Sequence, residues 1–252
     1  MISNLLVMNL FRKIANFIDQ QKTISQIYDD IKNLDEVLVD RRIEILDEIV
    51  TVKFAEIGLK NWNGKYLWYS DFNDEGIKHV IEYNVLKHYG GSFSYGNCFN
   101  FIPTISNSKL VNHKTEKSTA IIYHKRLNGW QKSLKNNSLI NPDKISTINE
   151  EKFRSSLNKV LKENLPKLKK WFEDNNTIEQ NIQSLIQDAN NPPYEIGYRI
   201  NSYEYILAFL YAKKSELSLS NFWLNKHFLE ANKDQKLEDL IYEKIENMKP
   251  KN

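Results

Sequence analysis

Two stretches, Tyr66-Leu-Trp-Tyr-Ser-Asp-Phe72 and Ile77-Lys-His-Val-Ile-Glu-Tyr-Asn-Val85, joined by Asn73-Asp-Glu-Gly76, decide the class of this fold. Both are rich in aromatic and β-branched residues, which suit a pleated, half-buried surface, and the four residues between them read as a hairpin turn. In the second stretch Ile77, His79, Ile81, Tyr83 and Val85 share one face, and Lys78, Val80, Glu82 and Asn84 share the other. The segment 88–96 (HYGGSFSYG) follows with three of the eight glycines and reads as a loop, residues 97–105 as a third strand and 119–125 (TAIIYHK) as a fourth.

The flanks change period. Upstream, residues 5–17 are apolar all round, residues 24–31 place Ile24, Ile27, Tyr28 and Ile31 at helical spacing behind Thr23, and residues 40–57 repeat Ile43, Leu46, Val50, Phe54 and Ile57 before Gly58. Downstream, Thr147-Ile-Asn-Glu150, Thr177-Ile-Glu-Gln180 and Asn201-Ser-Tyr-Glu204 each read as a capping box that opens a helix. Pro166 interrupts the first of these, Pro192-Pro193 stops the second, and two further helices are expected at 220–231 and 237–248. The expectation is an α+β fold: a mainly antiparallel sheet of about four strands, flanked by helices from both ends of the chain. Residues 1–39 form a helical extension and 40–252 one domain, its sheet within 62–126 and its helical part within 147–252.

The 252 residues carry 35 Lys+Arg against 32 Asp+Glu, a net charge of +3 that does not by itself call for a polyanion. The longest apolar run, 205–212, is too short to span a bilayer, and the opening MISNLLVMNLFRK lacks the order of a secretory signal. With one cysteine, Cys98, no internal disulfide framework is possible, which fits a reducing cytoplasm. Asn occurs 30 times, a bias that makes isolated surface Asn and Lys weak markers of function.

Chemistry is thinly signalled. The five histidines, at 79, 88, 113, 124 and 227, form no metal-ligand spacing, and no cofactor fingerprint is present, so no metal and no cofactor are expected. Cys98 lies in no nucleophile signature. A metal-nuclease hairpin would want a lysine two residues after Glu82, where Asn84 stands. A hydrolase would need Asp71, His79, Glu82 and His124 to converge. Two binding features remain. Trp68, Tyr69, Tyr89, Phe93 and Tyr95 gather around Gly90 and Gly91, with Trp62 nearby, and aromatics at a loop anchor protein interfaces, although they also fill cores. Between 109 and 135, seven basic residues, among them Lys109, Lys114, Lys117, Lys125, Arg126 and Lys132, face one acid and are interleaved with Tyr123 and Trp130. Such a pattern suits nucleic acid, whose phosphates and unpaired bases take cations and rings.

The helix ending Glu56-Ile-Gly58-Leu, followed by Tyr66-Leu-Trp-Tyr, a strand and Ser94-Tyr95-Gly96, resembles the bacterial family domain of unknown function 4304 over residues 40 to about 230. The resemblance implies small bacterial accessory proteins, some encoded among toxin, immunity or phage-defence loci, and brings no catalytic residue with it. The expected function is therefore a non-catalytic cytoplasmic protein that binds another protein through the aromatic surface and the 90–96 loop. The acidic stretch 29–48 is a second contact surface, and nucleic-acid binding through 109–135 is the alternative. No membrane association is expected.

Overall fold

A computed structural model describes residues 36–86, 90–115, 117–127, 142–191, 201–230 and 234–248. The two helices expected before residue 35, and Tyr89, Trp130 and Lys132, lie outside the described residues. The fold is α+β. The hairpin forms with a short first arm: β1 (Asn61–Trp62) pairs with β2 (Leu67–Tyr69), and β2 pairs with β3 (Ile77–Leu86). β3 runs antiparallel to β4 (Gly90–Phe99) along its whole length, from Ile77 opposite Phe99 to Leu86 opposite Gly90. β5 (Thr104–Ser106) and β6 (Lys109–Val111) make a separate hairpin. β7 (Tyr123–Arg126) and β8 (Ile145–Ser146) both pair with the far side of β4, completing a six-stranded antiparallel sheet.

The segment expected to be a glycine-rich loop is instead the first part of the central strand. Its glycines serve close approach rather than turning. A methyl group on Gly91 would fall on the Tyr83 ring, and one on Gly96 would strike the Tyr123 carbonyl oxygen on β7. The third strand therefore starts at Gly90 and ends at Phe99, and the fourth begins only at Tyr123.

α1 (Val39–Leu46) passes through a π-helical turn, Asp47–Thr51, into α2 (Val52–Ala55). α3 (Glu150–Glu173) runs through Pro166 and is capped by Asn149, whose side chain accepts from Lys152 N, not by Thr147. α4 (Ile178–Asn190) has the complete Thr177/Gln180 box. α5 (Tyr203–Lys213) is capped by Ser202 rather than Asn201, and α6 (Leu217–Glu230) and α7 (Gln235–Glu246) follow.

The sheet is covered on both faces. Ile81, Tyr83, Phe93 and Tyr95 enter one core with α1–α3, while Val80 and Cys98 enter the other with Ile121, Ile122 and residues of α4–α7. The corner between α3 and α4 is locked to the sheet by buried amides. Asn97 Nδ2 donates to Asn175 O and Asn181 Oδ1, each at 2.8 Å, and Asn181 Nδ2 donates to Asn175 O and Thr177 O. His79 bridges the same cluster, Nδ1 to Asn97 Oδ1 at 2.8 Å and Nε2 to Asn176 Oδ1 at 3.2 Å. Burial outweighs those two amides and pulls the imidazole below its usual pKa.

Candidate functional site

The expected aromatic docking surface is core. Trp68 is fully buried, its Nε1 donating to Thr51 Oγ1 at 2.9 Å beside the π turn. Phe93 and Tyr95 are buried too, Phe93 edge-on to Phe54 and Trp68 and Tyr95 edge-on to Trp171. Gly90 and Gly91 are buried in β4. Tyr69 is half-buried, and its ring receives the ammonium of Lys78 at 4.9 Å. A central antiparallel strand sandwiched by helices consumes its aromatic residues on both sides, which the residue pattern alone does not reveal.

The two charged segments are likewise partly spent within the chain. Lys125 Nζ lies 2.6 Å from Asp188 Oδ2, both side chains nearly buried, and the Tyr123 hydroxyl donates to the same oxygen at 2.6 Å. Burial and the Asp188 carboxylate push the Tyr123 phenol well above its ordinary range. Lys109, Lys114 and Lys117 stand exposed at the surface, while Arg126 lies on the sheet face. Of the acids between 29 and 48, Glu44 and Glu48 are taken up by Arg41 and Arg154, and Glu36 contacts the buried Arg42 at 3.3 Å. Glu150 bridges Arg41 and Arg154, whose guanidinium groups pull it down to about 2.

Register separates the four groups a hydrolase would need. Leu67, Glu82, Ser94 and Arg126 form one cross-strand row, and Tyr69, Val80, Gly96 and His124 form the next, on the same face. His79 is on the opposite face against Phe172, ring centroids 4.6 Å apart, and Asp71 accepts from Asn61 at the rim. Burial raises the Glu82 pKa against the opposing pull of Arg126. His124 is pulled down to about 4 by burial, Arg126 and Lys125, and its buried Nδ1 has no hydrogen-bond partner among the described residues. Among the described residues no group of three or more His, Cys, Asp or Glu side chains is placed to hold a metal ion, and no helix is long and apolar enough to cross a membrane. Cys98 is buried.

Two further surface features stand out among the described residues. The first is α6 (LSLSNFWLNKHFLE), whose apolar residues are not confined to its inner face. Its inner face is anchored by buried Leu224 and by Ser220, whose hydroxyl donates to Ala208 O at 2.8 Å. On its outer face Leu219, Phe222 and Leu229 are 42%, 58% and 86% exposed, with Lys226 between them on the same stripe. The second is a pocket of about 360 Å³ where residues 100–114 meet the end of α7, lined by Asn100, Phe101, Lys114, Lys244, Asn247 and Met248. Lys244 and Asn247 lie more than 100 residues from Lys114, so no local window pairs them.

No family model matches the chain, and no curated protein or solved structure matches it either.

Proposed function

We propose that this chain is a non-catalytic, cytoplasmic bacterial accessory protein that binds another protein, and that it does so through the outer face of α6. One observation carries the reading. α6 leaves three large apolar side chains, Leu219, Phe222 and Leu229, exposed in one row, where a surface helix ordinarily turns polar residues outward. Leu219, Phe222, Lys226 and Leu229 follow a three-four-three spacing, the seam along which one helix packs against another. The matching partner is an amphipathic helix with its own apolar seam and a carboxylate opposite Lys226, whose side chain is 45% exposed and whose Nζ lies 4.0 Å from Glu204 Oε1, a distant pairing. The resemblance stated above supports a toxin-immunity or phage-defence setting. Exposed Lys109, Lys114 and Lys117 are what support the nucleic-acid alternative.

The test uses the full chain and its Phe222→Asp and Leu229→Asp variants, both at exposed positions where the fold is spared. A photo-reactive residue at 222 identifies the partner in the native host, and the purified partner is then titrated against wild type and variants. Roughly ten-fold or greater weakening by either aspartate supports the proposal. Equal affinity for all three chains, or crosslinks no more frequent than from a control position at Lys167, refutes it.

A further inference from the structure

We propose that the pocket between Phe101 and Met248 binds the phosphate of a small organic monophosphate between the ammonium groups of Lys114 and Lys244. Among the described residues six line it and none of these is acidic. Lys244 Nζ donates one hydrogen bond, to Asn112 Oδ1 at 2.9 Å, which holds the amine in place and leaves its other protons available. Lys114 is exposed. A third cation, Lys213, sits 5.5 Å from the centre of the Phe101 ring that forms one wall. Burial and the nearby Lys114 hold Lys244 below the ordinary lysine value, a penalty on its charged form that an anion in the pocket would reduce.

Charge and shape together select the ligand class. A phosphate monoester carries nearly two negative charges at neutral pH and balances two ammonium groups, whereas a carboxylate balances one. The Asn100 and Asn247 amides supply neutral hydrogen-bonding groups at the rim. Asn100 is held against Gly76, where any added methyl group would collide with its amide. Phe101 and Met248 give an apolar wall for an organic body, and the volume falls in the range of small-molecule pockets. This inference is independent of the α6 proposal.

Calorimetric titration of the full chain tests it, with phenyl phosphate, inorganic phosphate, benzoate and a short single-stranded oligonucleotide as probes. Phenyl phosphate is expected to bind more tightly than inorganic phosphate and benzoate. Lys114→Gln and Lys244→Gln are each expected to weaken it about ten-fold, while the remote surface variant Lys167→Gln leaves it unchanged. Thermal unfolding without ligand checks that the variants fold. The proposal is overturned by absence of phenyl phosphate binding to wild type, by unchanged affinity in both pocket variants, or by an oligonucleotide that binds more tightly with the same lysine dependence.

Discussion

Replacing Asp188 with Asn separates an architectural Lys125 from a nucleic-acid-contacting one. Asp188 Oδ2 receives both the Lys125 ammonium and the Tyr123 hydroxyl at 2.6 Å, with the Lys and Asp side chains only 13% and 17% exposed. Asparagine keeps the shape and one acceptor oxygen but removes the charge, leaving a nearly buried ammonium without its anion. Breaking one side of a fully buried pair costs about 3–5 kcal/mol, and the residual exposure here places the loss near 3 kcal/mol. For a chain of this size that lowers the melting midpoint by roughly 6–12 °C. Lys125→Met retains the packed stem and is expected to cost about 2 kcal/mol, mostly from the orphaned carboxylate. In the double variant neither charge is left alone, so its loss falls short of the sum by about 1–2 kcal/mol. Urea unfolding of the four proteins measures the cycle. Additive losses, or an Asp188→Asn midpoint equal to wild type, would refute the reasoning. So would a Lys125→Met chain of normal stability that had lost affinity for an oligonucleotide.

Gly91→Ala forces a methyl group into the Tyr83 ring and is expected to destabilise the chain by about 3 kcal/mol or more, seen as a lower urea midpoint; full stability would return residues 90–96 to a loop. Tyr83→Phe at the other side of that contact removes a buried hydroxyl that has no hydrogen-bond partner, so it is expected to be neutral or stabilising by up to about 1 kcal/mol. Asn181→Ala abolishes two donated bonds and one accepted bond in the α3–α4 corner and is expected to cost about 2–4 kcal/mol, against a negligible effect of Asn158→Ala on the exposed side of α3. His124 protonates near pH 6.5 when unfolded and at about 4 when folded. Its neutral form is accommodated without loss above 6.5, and stability drains as pH falls from 6.5 toward 4, by about 3 kcal/mol at most. His124→Gln should flatten that part of the stability–pH curve by one proton's slope; superimposable slopes would disprove it.

Much of the architecture was readable from local pattern. The alternation through Ile77–Val85 gave a strand, Asn73 to Gly76 gave its turn, the 3.6-residue repeats gave α1–α2, α3 and α4, and a capping box ahead of an apolar run gave α5, because each of these signals depends on neighbours a few residues apart. The start of β4 was not readable for a physical reason. A strand buried on both faces has no polar alternation to display, and Gly91 and Gly96 leave room for the Tyr83 ring and for β7 to approach. The capping boxes at 147 and 201 were displaced because Asn149 and Ser202 offered the side-chain acceptor one or two residues later.

Site residues divide along the same line. Composition and run length alone determined that the chain builds an α+β fold, holds no internal disulfide and contains no long apolar span, since these depend only on what residues are present and at what spacing. Tertiary structure alone decided which side chains remain at the surface. It put Trp68, Phe93 and Tyr95 in a core, gave Lys125 to Asp188, left Phe222 and Leu229 uncovered, and brought Lys244 to Lys114. Exposure and charge pairing are properties of what folds back across a residue, and the partners that determine them lie tens to more than a hundred positions away along the chain.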